Sequence, residues 1–491
     1  MTHSRRTFLK SSAALTVGAA VVPHLLRASQ ARAASFGALV PDPAGVLDLP
    51  AGFTYTLIDQ RGDDMSDGYQ TPGLPDGMAC FFDSAGNYVL MRNHEVGTFD
   101  YANGALKTGQ SPPEEMYNSI AMGGVTRVVI DPQSGAKVSS NWVLGGTLRN
   151  CAGGPSPWGW LTCEETDTAG HGYVFLTKTD ASGIQAAQRI DAYGRYNHEA
   201  VAIDPETYTA YLTEDRGNSC LYRMVPSSKE TPFEGQLQAL RIIGEDKATL
   251  ADDRQVGERW SVDWVDLNNP DSPDDSLRSE AQDMGAAIIK RGEGIWYHDG
   301  VVYICSTSGG PNSKGQIFKL TLESQELELI AQSDDPDVLD MPDNICVAPW
   351  GDLYMSEDGD GDQYIRYLNQ DGNVQDFARN ALSGSELAGV CFSPDGKALF
   401  INIQKDHRTY MIQGPFPEVE TPDLPAPPEG TETPEVPETD DSVGCSSVRA
   451  QGMILPPLAA LAYRWAVRAQ KTNAERSNQT GSCIERDQAK G

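Results

Sequence analysis

One short pattern recurs along the chain and limits it to few folds: a strand-like run, a tight turn rich in Asp, Pro and Gly, then a second strand-like run. It reads Phe82-Asp83-Ser84-Ala85-Gly86-Asn87-Tyr88 near the start, and Ile203-Asp204-Pro205-Glu206-Thr207, Tyr297-His298-Asp299-Gly300-Val301 and Phe392-Ser393-Pro394-Asp395-Gly396 further on. Pro157-Trp158-Gly159 and Pro349-Trp350-Gly351 are near copies of one another. From Pro157 onward these turns return every ~45 to 50 residues, with one gap of twice that, a period that marks a β-propeller. A four-stranded blade cannot bury both of its faces alone, so blades must stack around an axis. The expectation is an all-β propeller of six blades from about Phe53 to Phe416, without an amphipathic helix of four turns. The polar stretch Gly244 to Gln282, inside the doubled gap, reads as a surface excursion between blades.

The ends of the chain read differently. Ser4-Arg5-Arg6-Thr7-Phe8-Leu9-Lys10, the apolar stretch Ala13 to Val22 and the small-x-small site Ala31-Arg32-Ala33 make residues 1–33 a twin-arginine signal peptide. This leader predicts the twin-arginine export machinery as a partner and a periplasmic or extracellular location for a protein that travels folded. Residues 34–416 form the propeller domain, and residues 417–443 a solvated linker rich in Pro, Glu and Thr. Residues 444–491 carry an apolar run, Met453 to Val467, that fits either a sorting or anchoring tag or a plain solvated tail. Pro456, Pro457 and Arg464 interrupt that run, and a membrane span needs about 20 apolar residues, so no stable transmembrane helix is expected. With 38 Lys+Arg against 69 Asp+Glu the net charge is −31. That balance excludes nucleic acid as a partner and favours bound cations. A monomer is expected.

The carboxylates are patterned. The second run of several hairpins leads into a charged cluster: Arg92-Asn93-His94-Glu95, Thr162-Cys163-Glu164-Glu165, Thr213-Glu214-Asp215-Arg216 and Ser356-Glu357-Asp358. Equivalent places in successive blades converge on one end of the central channel, where unneutralised carboxylates would raise one another's pKa. Hard cations such as Ca²⁺ or Fe³⁺ relieve that repulsion, although each cluster alone also fits a solvated strand end. Asn197-His198-Glu199-Ala200, Arg291-Gly292-Glu293-Gly294 and Met341-Pro342-Asp343-Asn344 sit where strands begin. Among them the Glu is favoured over His94 or His198 as a ligand, because a lone His is more often structural. Cys151, in the Gly-rich turn Arg149-Asn150-Cys151-Ala152-Gly153-Gly154, is a candidate metal ligand or nucleophile as well as a candidate structural thiol. The remaining cysteines are dispersed, without zinc spacing. Asp358-Gly359-Asp360-Gly361-Asp362 has calcium-loop character but lacks the spaced Glu of an EF-hand. There is no G-x-S-x-G nucleophile elbow and no phosphate-binding P-loop, so metal-assisted hydrolysis is more economical than covalent catalysis.

Together, the twin-arginine leader, Arg92-Asn93-His94-Glu95, the block from Asn150-Cys151-Ala152-Gly153-Gly154 to Cys163-Glu164-Glu165, Asn197-His198-Glu199-Ala200 and Arg291-Gly292-Glu293-Gly294 resemble the PhoX-type alkaline phosphatases. The resemblance covers most of residues 1 to 416. It implies a six-bladed propeller with two iron and three calcium ions bridged by an oxo group, hydrolysing phosphate monoesters with a metal-bound oxide or hydroxide as nucleophile. By motif, Cys151 would be an iron ligand, and Glu199, Glu293, Asp343, Asp358, Glu165 and Glu95 would complete the iron and calcium sites. Arg291 would contact the substrate phosphate, with Glu293 beside it at the catalytic centre. The other readings left open are a calcium lactonase, a phosphodiesterase, and a non-catalytic calcium-binding propeller at the cell surface.

Overall fold

The computed structural model describes residues 36–419. The signal peptide (1–33), nearly all of the linker (417–443) and the tail (444–491) lie outside the described residues, and none of the described helices is long and apolar enough to cross a membrane. Within them the chain is all-β, its one α-helix being the seven-residue Leu277–Asp283.

The strands follow one another as antiparallel meanders. The first is Pro75–Phe82, Tyr88–His94, Gly123–Ile130 and Lys137–Thr147. The second is Asn150–Ser156, Gly159–Glu164, Val174–Thr177 and Gln188–Ile190, and the third His198–Ile203, Ala210–Glu214, Tyr222–Pro226 and Gly235–Ile242. Then come Gly292–His298, Val301–Ser306, Gln316–Thr321 and Glu326–Gln332, followed by Pro342–Val347, Leu353–Glu357, Tyr364–Leu368 and Val374–Asn380. The last, Leu387–Phe392, Ala398–Ile403 and Arg408–Gln413, takes its fourth strand from the other end of the chain. Thr54–Gln60 pairs with Arg408–Gln413, from Gln60 opposite Arg408 to Thr54 opposite Gln413. The opening strands of the meanders pack side to side in chain order around an axis, and Leu387–Phe392 returns against Pro75–Phe82. This is a propeller, closed on itself.

Turn chemistry explains the repeated hairpins. In Asp83–Asn87 the Asp83 carboxylate accepts the backbone N–H of Ala85 at 2.9 Å and of Asn87 at 2.8 Å, while Gly86 supplies a positive φ of 83°. Asp204 does the same for Glu206 at 2.9 Å and for the Thr207 hydroxyl at 2.7 Å. Side-chain alternation then follows position in the blade. Outer strands such as Glu326–Gln332 bury every second residue (Leu327, Leu329, Ala331), whereas Ala398–Ile403, sandwiched between neighbouring blades, is buried throughout. Between blades the core is aliphatic and aromatic. At the seam Phe53 meets Phe377 and Phe416 with ring centroids 5.1 and 4.9 Å apart, an edge-on packing that ties the N-terminal segment to the last turns of the chain.

Two expectations change. Hydrogen bonding does not divide the meanders into six separate sheets. It gives five, one of nine strands, because Arg259–Asp266 pairs with both Gly235–Ile242 and Glu326–Gln332 and fuses the third meander to the fourth. The stretch Gly244 to Gln282 is therefore more than a surface excursion. Trp260 and Val262, two residues apart, bury themselves in the interblade core, and Leu277 and Ala281 anchor the short helix. The period-two spacing of Trp260, Val262 and Trp264 is a strand signal hidden inside a polar stretch.

Candidate active site at one mouth of the channel

Every opening strand begins with the same irregularity. Its pairing with the next strand slips between Pro75 and Met78, Asn150 and Gly153, His198 and Val201, Gly292 and Ile295, Pro342 and Ile345, and Ala388 and Cys391. A β-bulge re-aims the residues it contains. Each bulge places one residue at the corresponding position: Asp76, Cys151, Glu199, Glu293, Asp343 and Gly389. These are three kinds of ligand side chain and one glycine, gathered from separate blades to one end of the channel. Gly389 is dictated by space and backbone: its φ is 66°, and a Cβ there would lie 2.2 Å from the Asp76 carbonyl oxygen. Gly154 has a similar reason, since a Cβ would lie 1.7 Å from the Val201 carbonyl of the adjacent opening strand.

A second tier surrounds this ring. It comprises the residues that follow the second strand of each hairpin: Glu95, Glu165, Asp215, Thr307, Asp358 and Gln404. Strand alternation separates the members of the carboxylate doublets. The first member turns into the blade. Glu164 is wholly buried and accepts the N–H of Leu148 and of Gly172, both at 2.8 Å, with His171 Nδ1 at 2.6 Å. Glu214 accepts the Tyr222 hydroxyl at 2.8 Å and Arg278 at 3.0 Å, and Glu357 accepts Arg366 at 2.6 Å. The second member faces the mouth.

The eight residues singled out from the sequence all fall at this end. Cys151, Glu165 and Glu199 offer ligand atoms within 4.8 Å of one another. Glu293 and Asp343 adjoin them in the ring, Asp358 and Glu95 stand in the second tier, and Arg291 stands at the rim. The Arg291 guanidinium donates to Asp215 through Nε at 2.9 Å and Nη2 at 3.2 Å, and forms an ion pair with Glu293. Arg92, Asn93 and His94 play other parts. Arg92 is buried against Asp59 and Thr409, with both contacts at 2.5 Å, and His94 lies between the Gly73 carbonyl and the Thr126 hydroxyl. Asn93 donates to the Ala152 carbonyl at 2.7 Å and accepts Trp160 Nε1 at 2.8 Å, which fixes the Cys151 bulge from behind. His198 stacks on Tyr196 at 3.6 Å and is not aimed into the ring. In the calcium-like loop Asp362 turns outward onto Arg379 at 2.8 Å.

Sequence reasoning missed Asp76, Glu386, Arg149 and the mouth-facing role of Asp215. Leu74-Pro75-Asp76-Gly77 echoes Met341-Pro342-Asp343-Asn344, and that likeness is the signal that could have found Asp76. Gln404 spans the tiers, donating to Asp76 at 2.9 Å and Glu95 at 3.0 Å. Backbone strain marks the same rim: Leu74, Arg149, Arg291 and Met341, each just before an opening strand, have φ of 47°, 51°, 49° and 54°. Such left-handed conformations of non-glycine residues concentrate at functional sites.

Electrostatics sets the ring apart. Burial, reinforced by Asp343 and Asp215, holds the Glu293 carboxyl well above the usual range despite Arg291. Burial and the neighbouring carboxylates Glu165, Asp343 and Asp76 do the same to Glu199, and Asp76 is raised by burial with Glu95 and Asp343. Asp343 and Glu165 are pushed up to about 7, and Glu386, behind Asp358, to about 9, burial being the main cause in each. Burial likewise pushes the Cys151 thiol up. Asp76 Oδ1 is buried without a hydrogen-bond partner, and Glu293 Oε1 has the Arg291 ion pair but no aligned hydrogen bond. A thiol and several clustered carboxyls, partly unpartnered and out of water, are a donor set that bound cations would satisfy.

The fold is that of a β-propeller, with a cluster of carboxyls and one thiol at one mouth of its channel. The family model for alkaline phosphatase PhoX matches residues 34–142 and 136–406, and the chain belongs to that family of phosphatases. Among solved structures it is similar to PhoX of Pseudomonas fluorescens in complex with vanadate, a transition-state analogue, with a TM-score of 0.61 and 19% identity over 77% of this chain and 97% of that one. A Bacteroides thetaiotaomicron protein of unknown function gives a TM-score of 0.41 at 12% identity, covering 74% of this chain and 76% of that one. A Xanthomonas campestris gluconolactonase gives 0.40 at 13% identity, covering 77% and 98%. No curated protein matches the sequence significantly.

Proposed function

We propose that this phosphatase is a metal-dependent phosphomonoesterase, exported by the twin-arginine route and active in the periplasm or outside the cell, with iron and calcium held at the channel mouth. The observation that carries this reading is the ring Asp76–Cys151–Glu199–Glu293–Asp343, whose buried carboxyls lack the protein cations that would neutralise all of them. Iron suits the set that contains the thiolate, Cys151 with Glu165 and Glu199. Calcium suits the all-oxygen side, Glu293, Asp343, Asp358 and Asp76, with Glu95 at its outer edge. The metals, when bound, would supply Lewis acidity toward the phosphoryl oxygens and the nucleophile.

The chain's own residues do the rest. Arg291 orients the phosphoryl group: its Nε and Nη2 are fixed on Asp215, which leaves Nη1 to hydrogen-bond a phosphate oxygen and stabilise charge as it builds. Asp215 is then a positioning residue for that guanidinium. Asn93 and Gly389 hold the bulges in register, so the donors stay aimed at one point. The test is elemental analysis of protein purified after export, combined with aryl-phosphate turnover. Iron with calcium and turnover are expected. Calcium alone without turnover would favour a lactonase or a binding module, and the absence of metal would overturn the reading.

A further inference from the structure

Arg149 and Arg291 occupy the same place in two different blades. Each is the residue before an opening strand, each has a left-handed backbone, and each backbone is held by the same pair of bonds. The Arg149 N–H donates to the Val96 carbonyl at 3.1 Å, and its carbonyl accepts from Glu165 at 3.0 Å. The Arg291 N–H donates to the Arg216 carbonyl, and its carbonyl accepts from Thr307, both at 2.9 Å. Both side chains lean on second-tier carboxylates. Arg149 Nε donates to Glu95 at 3.0 Å, and Nη2 donates to Glu165 at 2.6 Å. Between the two arginines stands Asn197, the equivalent residue of the intervening blade, whose Nδ2 donates to Glu165 at 3.1 Å and to the Asp215 carbonyl at 3.0 Å. The rim is thus one bonded arc: Arg149, Glu165, Asn197, Asp215, Arg291.

The two guanidiniums differ in depth. Arg291 is 29% exposed and touches Glu293 of the ring, whereas Arg149 is 47% exposed and touches only the second tier. In both, Nη1 has no protein partner among the described residues. A guanidinium whose Nε and Nη2 are already fixed presents its remaining N–H groups in a set direction, at little further cost in side-chain freedom. On a rim where carboxylates outnumber the neutral Asn197, Thr307 and Gln404, such a group is a built anion contact set back from the ring. We infer that Arg149 is a second anion-recognising residue, which reads a negative group on the leaving part of the substrate. The substrate class it selects is phosphate monoesters whose alcohol carries a carboxylate or a further phosphate. This rests on the phosphatase reading, with Arg291 on the phosphate that is cleaved.

The test uses matched substrates on metal-loaded protein. Glycerol 3-phosphate and 3-phosphoglycerate differ at a carboxylate, and fructose 6-phosphate and fructose 1,6-bisphosphate differ at a second phosphate. The wild type is expected to prefer the member of a pair with the extra anion. Arg149→Gln should lower the preference for that member, read as the ratio of the two kcat/KM values, by about 10- to 100-fold, as for loss of a charge-assisted contact, whatever loss the two members share. Arg149→Lys should fall between Arg149→Gln and the wild type, and metal content measured in each variant separates a disturbed Glu165 from a lost anion contact. The pair that responds identifies the anion. No preference in the wild type, or equal losses on both members with metals intact, would overturn the inference. Calorimetric binding of 3-phosphoglycerate and of fructose 1,6-bisphosphate separates the two claims. Arg149-dependent binding without turnover of any ester would uphold this inference and sink the phosphatase reading; neither binding nor turnover would sink both.

Discussion

Glu164 and Glu293 are both buried glutamates at the ends of propeller strands, and they could hardly be treated more differently. Glu164 has donors on both oxygens, three from the backbone N–H groups of Leu148, Gly172 and Tyr173 and one from His171, and so is finished without any partner from outside. Glu293 has one oxygen with no aligned donor, a single arginine nearby, and like charges on two sides. A buried charge is tolerated when it is fully hydrogen-bonded and costly when it is not. Burial of charge is therefore common to both regions of this molecule. What separates the site from the scaffold is whether the protein itself completes the charge.

If that contrast is right, substitutions that look alike should act in opposite ways. The largest effect belongs to Glu293→Gln, which removes one strong ligand oxygen and one charge. Bound metal should fall, turnover should drop by at least about a thousandfold, and the metal-free protein should melt no lower than the wild type, since a repulsion has gone. Full metal content in this variant would break the contrast at its functional end. Next comes Cys151→Ser. Loss of the softer donor should strip iron and any visible thiolate-to-metal absorption, reducing turnover by about a hundredfold or more while sparing most calcium. Iron retained with its colour would move the iron site elsewhere. The smallest effect on turnover belongs to Glu164→Gln. Removing a completed structural carboxylate should cost about 1.5–3 kcal/mol in thermal or denaturant unfolding. Turnover per folded molecule should stay within about threefold. A dead but stable Glu164→Gln protein would break the contrast at its structural end.

The sequence discloses the hairpins because their turns depend on local chemistry: Asp83 and Asp204 bond the backbone only a few residues away. It discloses the neighbourhood of the site for a related reason, since the equivalent corners of successive blades meet at one end. The residue pattern alone does not say which glutamate of the doublet 164–165 faces the mouth, because that depends on strand alternation relative to a bulge in the neighbouring strand; only the neighbourhood of the family motif singles out Glu165. Nor could it pair Arg149 with Glu95, or Arg92 with Asp59, whose partners come from other strands of the ring. Asp76 escaped because its hairpin lies before the regular spacing begins, although the Pro-Asp echo of Pro342-Asp343 was there to be read. The strand Arg259–Asp266 escaped because exposed acidic turns on either side masked its alternating Trp260, Val262 and Trp264.

The seam between Thr54–Gln60 and Arg408–Gln413 has a consequence in time. No turn joins these two strands, and almost the whole domain lies between them, so their pairing is among the most non-local events of folding. The first strand must wait through most of synthesis before its partner exists. Because Asp76 and Asp343 belong to blades on either side of the last one, an open seam also leaves the channel mouth unfinished. Loading ions and locking the ends together thus become one late step, and a chain cut just after Gln60 should lose both together.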